Sequence, residues 1–279
     1  MSSFPYFVKL NTGSRMPFIG IDTVLMEPHE VSYLLKSGIS VGYRLIETVY
    51  AHNNAAEIGK VLGAIMRSGK LERADLFIIT KLPIRDHRRE MVKYFLKESL
   101  DRLQLTYVDL LLLHYPANDE ECNEDSTTPG GFVDISQDDL FQTWKGMEDA
   151  FQIGMAKAIG LSNFNLKQIQ LIRQNGRIKP ANVQVECHAY LSQSSFYEYC
   201  ARQNITFTAY LPLGSVDANS EFSKNVNENQ KPTNDKVLVP LCLKYRKTAE
   251  QILLRWLIQR GIVVISRSVR IQKLKEHFR

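Results

Sequence analysis

The chain has 279 residues, of which 44% are hydrophobic and 23% charged, and these ordinary values exclude a disordered chain and a fibrous repeat. At this length the chain forms either one large domain or two small ones. Its 35 basic and 30 acidic residues leave a net charge of +5, which is too small and too scattered to indicate binding to nucleic acid.

The chain opens without the apolar stretch of an export signal, because residues 1–5 lead directly to Lys9 and Arg15. The longest purely apolar run, 110–113, is far below the roughly 20 residues that a membrane span needs. We therefore expect a cytoplasmic protein that does not associate with membranes. The spacing of the cysteines fits neither a zinc ribbon nor a disulfide framework, so it predicts free thiols at Cys122, Cys187, Cys200 and Cys242 and no metal site.

Short β-rich runs alternate with segments of helical periodicity along the whole chain. The run at 6–10, the turn at 11–14 with Gly13, and an extended return predict a β-hairpin that caps the bottom of the fold. Eight strands are then predicted at 16–22, 43–50, 76–82, 108–115, 156–163, 182–188, 205–213 and 262–267.

Each predicted strand is followed by a predicted helix, and continuous apolar runs such as 108–114 are typical of parallel strands buried on both faces. Eight such units match the size of a closed (β/α)8 TIM barrel, which we expect to form a single α/β domain over 1–279. The alternative, an open doubly wound sheet, normally carries a Gly-x-Gly-x-x-Gly turn, and the sequence has none. The predicted helices span 28–36, 55–67, 89–103, 139–154, 166–175, 194–203, 237–245 joined to 248–260, and 271–278.

Two long polar segments, the acidic loop 117–138 and the Asn-rich loop 214–235, follow the fourth and seventh strands. Both leave the carboxyl ends of strands, where barrel enzymes keep their active sites. We interpret them either as lids and ligand clamps or as plain surface insertions. Trp144, within a predicted helix near the first loop, is expected in the core.

Polar residues at the carboxyl ends of otherwise apolar strands point to one pocket at that end of the barrel. Taken singly, each has an ordinary explanation, such as a hydrogen-bonded core histidine or a buried amide satisfied by backbone. The set comprises Glu47, His52, Lys81, His114, Ser162, Asn163, Gln184, Glu186, Tyr210, Arg267 and Ser268.

From Leu10 to Phe278 the sequence resembles the aldo-keto reductases, and its motifs are highly specific as a set. They are Leu10-Asn11-x-Gly13 with Met16-Pro17, Gly42-Tyr43-Arg44-x-Ile46, Phe77-Ile78-Ile79-Thr80-Lys81-Leu82, Tyr107-Val108-Asp109-Leu110, His114-x-Pro116, Ile159-Gly160-Leu161-Ser162-Asn163-Phe164, Gln184-Val185-Glu186-Cys187-His188 and Ala209-Tyr210-x-Pro212-Leu213-Gly214.

The resemblance implies a barrel that binds NADPH and passes hydride to the carbonyl carbon of an aldehyde or ketone. In that family a tyrosine donates the proton, a lysine lowers its pKa, an aspartate pairs with the lysine and a histidine orients the carbonyl. Lys81 and His114 match the lysine and the histidine. Glu47 stands in place of the aspartate, and His52 in place of the tyrosine.

His52 is expected to change the chemistry, because an imidazole nitrogen reaches roughly 2 Å less far than a tyrosine hydroxyl and about 1 Å of misplacement can cost a hundredfold in rate. Tyr50 is not expected to replace it, since Tyr50 lies two residues earlier and the spacing to Ile58-Gly59 leaves no gap that would move it into the acid's place. His52, or a water that it holds, is then the candidate proton donor. Glu47 either pairs with Lys81 or holds His52 in one tautomer.

The resemblance also assigns cofactor contacts. Arg267 and Lys273 keep the positive charge that the family uses at the adenosine end, which favours NADPH over NADH. Asp22, where the family has glycine, adds negative charge near the nicotinamide ribose. The assigned positions are Thr23, Ser162, Asn163, Gln184, Tyr210, Leu213, Ser215, Arg267, Ser268, Lys273 and His277.

The chain ends before the family's C-terminal tail, so we expect a wide, shallow substrate site. Two functions remain open at this point. The first is a monomeric oxidoreductase that acts on small carbonyl compounds, and the second is a catalytically impaired relative that serves as a nucleotide-binding or sensing module.

Overall fold

The computed structural model describes residues 6–24, 26–50, 54–83, 88–119, 132–214, 231–268 and 270–278. Its strands, in chain order, are β1 Phe7–Lys9, β2 Arg15–Pro17, β3 Ile19–Asp22, β4 Leu45–Glu47, β5 Phe77–Leu82, β6 Leu110–Leu113, β7 Ala117–Asp119, β8 Phe132–Asp134, β9 Ile159–Ser162, β10 Asn182–Glu186, β11 Thr206–Tyr210 and β12 Val263–Ser266.

Eight of these strands form a closed parallel barrel in the order β3-β4-β5-β6-β9-β10-β11-β12. The barrel closes where β12 pairs with β3, with Val264 opposite Ile19. This architecture, with helices between the strands, confirms the prediction of a (β/α)8 TIM barrel.

Helices follow the barrel strands along the chain, in the alternation that the sequence predicts. The two helices predicted as joined near the C-terminus are separate, because Arg246 takes a left-handed conformation with φ of 52° between them. The helices are α1 Pro28–Val41, α2 Ala55–Arg67, α3 Arg89–Leu103, α4 Gln137–Gln152, α5 Leu166–Asn175, α6 Ser194–Arg202, α7 Leu238–Tyr245, α8 Ala249–Gln259 and α9 Ile271–Phe278.

The N-terminal hairpin covers the bottom of the barrel, as the sequence predicts. β1 and β2 pair antiparallel, and Gly13 turns the chain between them with φ of 92°. Leu10, Met16 and Phe18 pack into the apolar cluster that fills the barrel interior. The predicted strand 16–22 was wrong in one respect, since its first residues belong to the hairpin and only Ile19–Asp22 belongs to the barrel.

The core has two layers, one inside the barrel and one between the barrel and its helices. Leu45 and Ile79 belong to the inner layer, whereas Trp144 is buried in the outer layer, as expected. The acidic segment after β6 is not all loop, because β7 and β8 pair antiparallel within it. Among the described cysteines, Cys187, Cys200 and Cys242 are free thiols, and Cys122 lies outside the described residues.

None of the helices in the described ranges is long and apolar enough to cross a membrane.

Candidate functional site

The alternation of side chains along the strands brings polar residues to the barrel mouth. In β4, Leu45 lies in the inner apolar layer, so Glu47, two residues later, also faces the interior. Lys81 follows Ile79 in β5 by the same spacing. Leu112 is the register partner of Lys81, and His114 continues from Leu112 one layer nearer the mouth. The apolar layer inside the barrel is therefore followed, at the carboxyl ends of the strands, by a ring of polar side chains that includes Glu47, Lys81 and His114.

Lys81 and Glu47 form a buried ion pair at the centre of this ring. The Lys81 Nζ lies 3.0 Å from Glu47 Oε1, and the two side chains are only 6% and 2% exposed. Gln184 Nε2 donates to the other carboxylate oxygen, Glu47 Oε2, at 2.6 Å. Both oxygens of Glu47 are thus engaged, and of the two roles open to Glu47 the structure shows the pairing with Lys81.

Asp22 adds a second carboxyl to the mouth beside Glu47, which is its register partner. Asp22 Oδ1 accepts a hydrogen bond from the backbone N–H of Val24 at 2.8 Å. Burial, followed by the negative charge of Glu47, raises the pKa of Asp22 to about 6, although Val24, Lys81 and Arg267 act in the opposite direction. One carboxyl at the mouth therefore changes its charge close to neutral pH.

Tyr210 and Asn163 form the opposite wall. The Tyr210 hydroxyl donates to Asn163 Oδ1 at 2.8 Å, and Asn163 Nδ2 donates to the backbone oxygen of His114 at 3.1 Å. The ring of Tyr210 has its centroid 5.8 Å from the Lys81 Nζ. Burial is the main cause that raises the pKa of Tyr210, so its hydroxyl stays protonated and acts as a donor. Ser162, also predicted at the site, is fully buried beside Asn163.

Thr23 is held by contacts that sequence reasoning missed. Its hydroxyl donates to the backbone oxygen of Glu47 at 2.8 Å, and its own backbone oxygen accepts from Asn54 Nδ2 at 2.6 Å. Asn54 is the N-cap residue of α2, and it ties the start of that helix to the end of β3. An Asn immediately before a helical segment is a signal that could have identified it.

A second group of predicted residues lies around β12 and α9. Arg267 follows β12 and acts electrostatically on Asp22. Ser268 Oγ accepts from the backbone N–H of Arg270 at 3.2 Å, just before α9 begins. Lys273 and His277 both contact Glu250 of α8, a residue that sequence reasoning did not single out.

The remaining predicted residues divide into described and undescribed ones. Leu213 is partly buried after β11 and packs against the outer core. His52 and Ser215 lie outside the described residues, so their assigned roles stay predictions. The Tyr50 hydroxyl donates to Glu98 of α3, which agrees with its exclusion from the proton-donor role.

Comparisons with known proteins give one consistent family. The model of the aldo/keto reductase family matches residues 19–279. Aldo-keto reductase family 1 member A1 of Gallus gallus is 39% identical over 96% of this chain and 82% of its own length. The Xenopus tropicalis protein of the same name is 36% identical over 100% of this chain and 84% of its own.

Solved structures show the same fold. Aldose reductase from Schistosoma japonicum superimposes with a TM-score of 0.86 at 34% identity, covering 98% of this chain and 86% of that one. The Bombyx mori aldo-keto reductase in complex with NADP gives 0.84 at 33% identity, with the same two coverages.

Proposed function

Because this chain belongs to the aldo/keto reductase family, we propose that the polar ring at its barrel mouth reduces small aldehydes or ketones with NADPH. The protein is an NADPH-dependent oxidoreductase of that family, and the assignment of its individual residues is our proposal. When bound, NADPH supplies the hydride that goes to the carbonyl carbon. The residues of this chain must then orient the carbonyl, stabilise negative charge on its oxygen and deliver a proton there.

The observation that carries the proposal is the buried contact between Lys81 and Glu47, at 3.0 Å. Burying a positive charge costs free energy, because the charge loses its hydration and only a close, hydrogen-bonded ion pair compensates for that loss. Here Glu47 fixes the ammonium group of Lys81 at the mouth, where negative charge develops on the carbonyl oxygen. A fixed charge of this kind needs no reorganisation during the reaction, which is why it lowers the barrier.

We assign the proton to His52, or to a water that His52 holds, because the sequence resemblance aligns His52 with the family's acid. His114 is assigned to orient the carbonyl by a hydrogen bond. Its backbone oxygen is tied to Asn163, which fixes the segment that carries the imidazole.

The residues at the mouth fit a nicotinamide cofactor. Gln184 Oε1 is buried without a hydrogen-bond partner within the described residues, while its Nε2 is committed to Glu47. A buried acceptor of this kind requires a donor, and the carboxamide NH2 group of the nicotinamide supplies one. Tyr210 offers a ring face for stacking. The remaining proposed contacts are Thr23, Ser162, Asn163, Leu213, Ser215, Arg267, Ser268, Lys273 and His277.

A titration followed by turnover measurements tests this function. NADPH is added while its fluorescence is monitored, and a panel of reactive aldehydes is then supplied while the absorbance of NADPH is followed. We expect binding and consumption, and a fall in turnover of about a hundredfold in Lys81→Met. Lys97→Met, which removes an exposed lysine from α3, is the matched control and should match the parent.

Lys81→Met leaves Glu47 buried without its cation, so the variant Lys81→Met with Glu47→Gln is measured as well. It should fold like the parent and remain slow. Binding of NADPH without turnover in the parent would instead support the nucleotide-binding module, and equal turnover in Lys81→Met would remove Lys81 from the mechanism.

We further propose that the protein works as a monomer in the cytoplasm and does not bind nucleic acid. The small net charge of +5 supports the last point. Light scattering after size-exclusion chromatography measures the mass in solution, and a mass of twice the chain's 32.0 kDa would contradict the monomer.

A further inference from the structure

Glu250 holds two of the positions proposed to bind the adenosine end of the cofactor. It lies in the first turn of α8, and its Oε2 accepts from Lys273 Nζ at 2.7 Å and from the ring nitrogen Nε2 of His277 at 3.0 Å. Both partners belong to α9. One carboxylate oxygen of Glu250 thus links α8 to α9, and it does so through Lys273 and His277, the two side chains proposed to bind the adenosine end of the cofactor.

Glu250 is negatively charged at any pH near neutral. The hydrogen bond from His277 is the largest of the causes that lower its pKa to about 2, and Lys273 adds to the effect against the opposing influence of burial. Lys273 also lies 3.5 Å from Glu276, so its ammonium group already faces two carboxylates. The His277 side chain is only 3% exposed, which limits its freedom to turn elsewhere.

A phosphate that binds Lys273 must therefore compete with Glu250. An ammonium group has three N–H donors, and those given to carboxylates are not free for phosphate oxygens. The carboxylate that remains beside the phosphate also repels it, because both are anions. Lys273 is still present at the proposed adenosine end, but Glu250 and Glu276 partly neutralise its charge and weaken its attraction for a further anion.

We propose that Glu250 determines cofactor specificity by weakening the preference for NADPH over NADH. The two cofactors differ only in the 2′-phosphate on the adenosine ribose. A residue that competes with this phosphate weakens NADPH binding and leaves NADH binding unchanged. This inference rests on the proposed function, which assigns Lys273 and His277 to the adenosine end.

Fluorescence titration of the parent, Glu250→Gln and Glu250→Ala with each cofactor tests the proposal. Both variants should bind NADPH about fivefold more tightly than the parent, the range of a partly exposed ion pair, and bind NADH as the parent does. The gain should decrease with added salt. Glu90→Gln removes an exposed carboxylate from α3, on the other side of the barrel, and should change neither affinity.

Three outcomes would overturn the proposal. The first is a variant that binds NADPH no better than the parent, or less well, which would make Glu250 a positioning residue for Lys273. The second is an equal gain for NADH. The third needs no variant: a parent that prefers NADPH by more than about a thousandfold, as unimpaired charge-assisted hydrogen bonds would give, contradicts the idea directly.

Failure of the proposed function gives a different result. A parent that binds neither cofactor contradicts the function itself. If both cofactors bind and Lys273→Met leaves the affinity for NADPH unchanged, the phosphate does not meet Lys273, and Glu250 cannot act in the proposed way.

Discussion

Asp22 is a buried carboxyl beside Glu47, and its raised pKa, caused first by burial and then by the charge of Glu47, gives stability a pH dependence that can be measured. The pKa of Asp22 is about 6 in the folded chain and near 3.8 in the unfolded one. The folded chain therefore binds more protons between these values, and stability falls as the pH rises from about 4 to about 6. Above about pH 6, Asp22 is ionised in the folded chain as well, and the free energy of unfolding is lowered by the full cost of burying its charge.

Asp22→Asn should remove that cost and keep the acceptor for the Val24 N–H. We expect the variant to be more stable than the parent by on the order of 2 kcal/mol at pH 7.5, and equally stable at pH 4. Urea unfolding of both proteins across this range gives the difference. A difference that does not change with pH would mean that Asp22 has an ordinary pKa.

The acid at position 52 is the second residue-scale test. His52→Tyr combined with Glu47→Asp should raise aldehyde reduction by about a hundredfold, because the proton donor regains its reach. Initial rates of NADPH consumption measure it. Tyr50→Phe is the control, since the Tyr50 hydroxyl is turned to Glu98, and its rate should stay that of the parent. A double variant that binds NADPH and remains slow would show that the acid does not limit the rate.

At the site, the sequence identified residue types and only part of their contacts. Pairing of Glu47 with Lys81 was one of two roles predicted for Glu47, whereas the contact of Gln184 with Glu47 was not predicted. The contact of Gln184 with Glu47 spans 137 residues of chain. It depends on strand register and side-chain length, which a single sequence does not contain. Glu250 was missed for the same reason, because a carboxylate in the first turn of a helix is ordinary until its partners are known.

At the scale of elements, Gly160 in β9 permits the close approach of β10. A Cβ at this position would lie 2.4 Å from the backbone oxygen of Asn182 and 2.9 Å from Leu112 Cδ2. Gly160→Ala should therefore lower the free energy of unfolding by about 3 kcal/mol, since backbone must move to relieve the contact. Urea unfolding measures the loss.

Gly63 of α2 is the matched control for this substitution. There the nearest atom to an added Cβ is Arg67 Nη1 at 3.1 Å, the end of a flexible side chain. Gly63→Ala should stabilise the protein by about 0.5 to 1 kcal/mol, because alanine is the better helix former. Equal losses in both variants would mean that the contact with Asn182 is not what makes Gly160 necessary.

The order of the barrel strands and their helices followed from periodicity, whereas the pair of β7 and β8, the separation of α7 from α8 and the boundary between hairpin and barrel did not. Met16 pairs with Val8 in the hairpin, and Ile19 pairs with Val264 in the barrel. Between them, the backbone N–H of Phe18 donates to Tyr6 and its backbone oxygen accepts from Val264. One extended stretch thus passes from one sheet to another. Alternation of side chains is the same in both sheets, so the sequence pattern could not locate the change.

At the scale of the whole molecule, closure of the barrel predicts that 1–279 unfolds as one unit. The two tryptophans report on separate regions, Trp144 in α4 and Trp256 in α8. In Trp144→Phe and in Trp256→Phe, the fluorescence transition of the remaining tryptophan should coincide with the circular dichroism transition of the same variant. A separate transition in either variant would indicate two domains.

The pairing of β12 with β3 also affects how this protein is made. Residues 263–266 leave the ribosome after all seven other barrel strands, so the partner of β3 is missing for most of synthesis. During that time the nascent polypeptide exposes two unpaired strand edges, at β3 and at β11, and such edges recruit other chains. These edges stay unpaired until Val263–Ser266 has been synthesised and has reached β3, so the growing polypeptide is exposed to wrong strand pairing until that point.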